Sequence, residues 1–122
     1  MNIPELMKLV SDAYVEKDGE VTIPKFATQF TFAEHELFIR IPIYEFPPPR
    51  TLVGLICHVI STALPHLKTN RKFLEDGLQA AAVGKTTASN GRELIISGIG
   101  TSAGGSSHAI VTEINIRLRE TQ

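Results

Sequence analysis

Apolar positions recur along this chain in two periods, and each change of period marks a new element. Near the start, Leu6, Leu9, Val10, Ala13 and Tyr14 keep the three-to-four-residue spacing of an amphipathic helix. Asn2 stands before it as a cap, and Pro4 is tolerated in the first turn. Glu5 follows Asn2 at the spacing of a capping box. Asp18-Gly19 predicts the end of this helix, because glycine accepts the positive φ of a helix terminus. The segment EVTIPKFATQFTF reads as extended and irregular, with Phe26, Phe30 and Phe32 as its apolar content. HELFIRIPIYEF then switches to period two. Leu37, Ile39, Ile41 and Ile43 fall on one face of a strand, and Phe38, Arg40, Tyr44 and Phe46 on the other. Pro42 has no N–H to give to a ladder, so this strand is expected at a sheet edge or with a bulge at that point.

The rigid PPPR break at Pro47 to Arg50 returns the pattern to helical spacing. Leu52, Leu55, Ile56, Val59, Ile60 and Ala63 define a helix over Thr51 to Leu64, and Val53 and Leu64 widen its apolar surface. That width predicts a largely buried helix, ended by Pro65. Asn70 is placed to cap a third helix through Phe73, Leu74, Leu78, Ala81 and Ala82, stopped by Gly84. Asn90-Gly91 predicts a turn, and RELIISGIG a strand. Gly98 to His108, GIGTSAGGSSH, reads as a long Gly/Ser-rich hairpin loop. HAIVTEINIRLRE closes the chain with its clearest alternation. Ile110, Thr112, Ile114, Ile116 and Leu118 point one way, and Val111, Glu113, Asn115, Arg117 and Arg119 the other.

These elements predict a single α+β domain over residues 1–122. An antiparallel sheet of about four strands carries three helices packed on one face, with the other face half polar. A chain of 122 residues suffices for one core. Hydrophobic residues make up 43% and charged residues 20%, the balance of a globular domain.

The net charge of −1 gives no electrostatic signal for nucleic acid. No apolar run approaches the roughly 18 residues of a membrane span. The opening MNIPELMKLVSD lacks the basic start and apolar block of a signal peptide. Cys57 is the one cysteine, which fits a reducing compartment. A cytoplasmic location is therefore expected, or the host cytoplasm or virion for a viral chain.

Candidate motifs for chemistry are weak. Gly84-Lys85-Thr86-Thr87 has the ending of a phosphate-binding loop, but Gln79 stands where its first glycine belongs, and the order is helix then strand instead of the reverse. A helix-capping glycine with a polar loop is the better reading. The Gly98–His108 stretch holds GxG without GxGxxG and leads into a strand, so no helix dipole stands behind it. His35, His58, His66 and His108 make no HxxxH pair, and Cys57 makes no CxxC, so no metal site is expected. Cys57 and His58 are neighbours on a helix and diverge by about 100°. Ser106 and Ser107 beside His108 fail as a pair because a strand sends neighbours to opposite faces. Glu75-Asp76 is a solvated helix face, and a set built from Ser97, His35 and Asp76 carries no mark in the sequence.

No catalytic, metal or cofactor residue is therefore named, and the reading leans away from an enzyme. The first expectation is a protein–protein interaction or assembly module that pairs with itself or another subunit, as a homo-oligomeric structural protein would. Its contact residues are Phe38, Arg40, Tyr44 and Phe46 on an edge-type strand. The loop residues Gly100, Thr101, Ser102, Gly104, Gly105, Ser106 and Ser107 join them, with Arg117 and Arg119 of the last strand. The order helix, strand, helix, hairpin is loosely similar to that of small viral tail and neck assembly proteins, a resemblance of order that covers no motif. The second expectation, from another class, is a binder of a small anionic ligand or nucleotide, held by the Gly/Ser loop with Arg92, Arg117 or Arg119.

Overall fold

Local capping sets the helices. The computed structural model describes residues 1–12, 27–67, 69–102 and 109–120. Helix α1 (Ile3–Asp12) begins where the Asn2 side-chain oxygen accepts the Glu5 N–H at 3.1 Å, and it buries Leu6 and Val10. The stop expected at Asp18-Gly19 lies outside the described residues. Helix α2 (Arg50–Ala63) starts after the proline run, with the Pro49 carbonyl accepting from Val53 at 3.0 Å. It buries Leu52, Val53, Ile56, Val59, Ile60 and Ala63, as its wide apolar stripe predicts. Helix α3 (Arg71–Ala82) is capped by Asn70, whose side chain accepts from Phe73 N–H at 2.8 Å. At its other end Gly84 N–H bonds the Ala81 carbonyl at 3.0 Å and Lys85 N–H bonds the Ala80 carbonyl at 2.9 Å. That pair of bonds needs a left-handed residue between them, and Gly84 supplies it with φ +84°.

Five strands form one antiparallel sheet: β1 (Gln29–Phe32), β2 (Glu36–Pro42), β3 (Thr87–Ala88), β4 (Leu94–Ser102) and β5 (Ala109–Arg119). They lie in the order β1-β2-β5-β4-β3. The sheet thus has five strands where about four were expected. The end of the segment read as irregular is β1, because Phe30 and Phe32 pair across from Ile39 and Leu37 and reach the core edge. Strand β3 has two residues, too few to show a period.

Four further expectations are corrected. Strand β2 is interior, flanked by β1 and β5, and it has no bulge. Pro42 is tolerated because it is the last residue of β2, opposite Glu113, where β1 has already ended. The chain then turns through a short 3₁₀ segment (Ile43–Glu45), so the alternation does not reach Tyr44 or Phe46. Tyr44 is 78% exposed, whereas Phe46 packs against the core and away from the open face. The loop is shorter than Gly98 to His108, since β4 runs through Ser102. Finally, β5 carries an extra residue at Thr112: Ile99 pairs with Glu113, but Gly100 pairs with Val111. The bulge reverses the alternation beyond it. Ile110, expected inward, is 57% exposed, and the Val111 side chain turns toward Gly98.

All three helices pack on one sheet face. Leu37, Ile39, Ile41, Leu94, Ile96, Ile114, Ile116 and Leu118 are buried there against Leu6, Leu52, Ile56, Ile60, Leu74 and Leu78. The tightest approach is α3 on β4. A methyl group on Gly77 would stand 2.6 Å from the Ile96 side chain, and one on Gly98 would stand 2.1 Å from the Ala81 carbonyl oxygen. Two glycines therefore set the distance between helix and sheet.

Candidate interaction surface

The helices cover one face of the sheet and leave the other open. By strand alternation and register, that open face carries Gln29 and Thr31 of β1, Glu36, Phe38 and Arg40 of β2, Glu113, Asn115, Arg117 and Arg119 of β5, and Ile95, Ser97 and Ile99 of β4. Phe38 and Arg40 of β2 share this face with Arg117 and Arg119 of β5. Arg117 lies opposite Phe38 in register, and its guanidinium sits 5.6 Å from the ring centroid. The same guanidinium donates to the Glu36 carboxylate. Arg40 forms a two-bond pair with Glu113, Nε to one oxygen at 2.8 Å and a terminal nitrogen to the other at 3.0 Å. The bonded guanidinium holds the Glu113 carboxyl below the usual carboxylate range, against the smaller opposing effect of desolvation.

Beside this pair the face carries both polar and apolar groups. Tyr44, Pro42, Ala27, Gln29 and Thr112 surround Arg40 and Glu113 in an open depression of about 430 Å³. Past it, the β4–β5 hairpin leaves the sheet. Strand β2 pairs only with Glu113 to Arg119, and β3 only with Ile95 and Ile96. From Gly100 to Ser102 and from Ala109 to Thr112, the hairpin is a two-stranded ribbon with no third strand among the described residues. Ile99 and Ile110, at 45% and 57% exposure, stand at the base of this arm. A two-stranded ribbon in water is marginal by itself. Gly100 is an exposed strand residue, Thr101 and Ser102 complete β4, and Gly104, Gly105, Ser106 and Ser107 lie outside the described residues.

The sequence did not single out Ile99, Ile110 or Glu36. The bulge at Thr112 hides Ile110, because an unbroken alternation assigns it to the core. Glu36 meets Arg117 only through cross-strand register, which pairs positions 81 residues apart.

Elsewhere, the side chains weighed for chemistry stay apart. Lys85 gives its N–H to the C-terminal cap of α3, and the next element is β3, so no helix N-terminus follows the GKTT stretch. Ser97 is on the open face, whereas Asp76 is bonded to Lys72 at 3.0 Å on α3, across the sheet. His35 contacts Glu120 at 3.1 Å, His66 contacts Glu93, and His58 is exposed on α2. Among the described residues, no three His, Cys, Asp or Glu side chains gather as metal ligands. Cys57 is half-buried on α2. Burial pushes its thiol pKa up, and the nearby Arg71 charge offsets only part of that. No helix among the described residues is long and apolar enough to cross a membrane.

Comparison of the chain with protein families, with curated proteins and with solved structures finds no match.

Proposed function

We propose that this chain is a protein–protein assembly module that associates with itself or a partner subunit through the open sheet face and the β4–β5 arm. The observation that carries this reading is the composition of that face. Its apolar groups, Tyr44, Ile99 and Ile110, are exposed beside two ion pairs, Arg40–Glu113 and Arg117–Glu36. Exposed aromatic and aliphatic groups beside paired polar ones suit a contact patch. The pairing also bears on the anionic-ligand reading. Of Arg92, Arg117 and Arg119, Arg117 already donates to Glu36, so a phosphate or carboxylate ligand there would have to displace a carboxylate first.

The test is sedimentation velocity on wild type and on a Tyr44→Ala, Ile110→Ser double variant, with a thermal melt of each. Both positions are exposed, so the variant is expected to keep its fold and to associate at least roughly tenfold more weakly. Association at wild-type strength in a folded variant would remove this face from the contact. A saturable thermal shift with phosphate, nucleotide or dicarboxylate, at unchanged mass, would favour the ligand reading.

A further inference from the structure

We propose that the outer edge of β4, from Gly98 to Ser102, is a strand-addition site, and that its occupant is the same edge of a second copy of this chain, paired antiparallel. This deepens the assembly reading and rests on it.

The hydrogen-bond parity of β4 fixes which backbone groups face outward. The Glu93 carbonyl accepts from Arg119 N–H at 2.9 Å, so odd-numbered positions bond toward β5. The Leu94 carbonyl accepts from Ser89 N–H at 2.9 Å, so even-numbered positions bond toward β3. Strand β3 satisfies that side only as far as Ile96, which pairs with Thr87. The N–H and C=O groups of Gly98, Gly100 and Ser102 therefore point to an edge that no described strand occupies. Buried or paired, such groups need partners; left open, they are a template for another strand.

Folded chains normally guard such an edge with charge, proline or a bulge on the edge strand. This one has none. Ser97 to Ser102 reads SGIGTS, without charge or proline, and the Thr112 bulge is on β5, not β4. Pairing with β5 already holds β4 extended, so little further ordering is needed to add a strand. The choice of a second copy follows from charge and geometry. A neutral edge meets its own copy without like-charge repulsion, and antiparallel pairing about a twofold axis satisfies both edges with the same groups. It would also bring the exposed Ile99 side chains of the two copies onto one continuous face.

The test is amide hydrogen exchange at single residues by nuclear magnetic resonance, on the full chain, at concentrations below and above the onset of association. Protection of the Gly98 and Gly100 amides is expected to rise by roughly tenfold or more with association, while the Ile99 amide, bonded to β5, starts protected and changes less. Association with Gly98 and Gly100 still exchanging fast would overturn the edge and leave the assembly reading standing. A chain that stays monomeric at every concentration would overturn the pairing of two copies and leave the assembly reading only a different partner subunit.

Discussion

Glu113 ties the open face to solution conditions. Its carboxyl is held below the usual range by the two hydrogen bonds from Arg40. A carboxylate whose folded pKa is depressed adds stability above its unfolded pKa, about 4.3 for glutamate, and loses it as pH falls through the lower folded value. The wild type is therefore expected to lose part of its stability on acidification below about pH 4.3. Glu113→Gln should flatten that part of the profile, with only a small effect at neutral pH, because the pair is solvent-screened. Urea midpoints between pH 2 and 7 check this, and an unchanged acid slope in the variant would contradict it. Single residues were legible in the sequence where their work is local. Asn2, Asn70 and Gly84 act within one helix turn, so their spacing alone identifies them. Arg92 was not. The turn at Asn90-Gly91 forms as expected, yet the positive φ, +56°, falls on Arg92, because Gly91 takes another turn position.

At the scale of elements, the packing of α3 on β4 decides how closely helix and sheet approach. Both Gly77 and Gly98 lie at that contact, but an added methyl meets different obstacles. At Gly77 it meets the tip of the Ile96 side chain, which can turn aside, and alanine favours a helix over glycine by up to about 1 kcal/mol. At Gly98 it meets the Ala81 backbone carbonyl, which moves only if α3 moves. Gly98→Ala is thus expected to cost about 1–3 kcal/mol, as overpacking does, and Gly77→Ala to lie within about 1 kcal/mol of wild type. Chemical denaturation of both variants checks the order, and equal losses would contradict it. Helices and long strands were readable because their periods persist over many residues. Strand β1 showed only four residues of pattern, β3 only two, and the bulge at Thr112 broke the rule used to read β5. The interior place of β2 was hidden for a different reason. A proline at the last position of a strand leaves the same trace in the sequence as one on an edge, and only the pairing partners separate the two.

At the scale of the molecule, among the described residues, helices close one face of the sheet and leave the other open, with an arm and an unpaired edge at one end. The alternation of β2 and β5 made the two faces of each strand legible, and the pairing of the strands joins Phe38 and Arg40 with Arg117 and Arg119. The alternation did not show that two of the arginines are already paired, since ion pairs between strands depend on register and rotamer. That pairing moves the centre of the candidate site from the arginines to the apolar groups beside them: Tyr44, Ile99 and Ile110. We propose that these surfaces are covered by a second copy of this chain. Light scattering coupled to size exclusion, on the wild type over a wide range of concentration, tests this. Self-association predicts a mass that rises from the 13.4 kDa of one chain toward an integer multiple of it. Because the contact is centred on apolar groups and backbone, that rise should persist at high salt, where charge attraction is screened. A mass of 13.4 kDa at every concentration and every salt would contradict self-association through these surfaces.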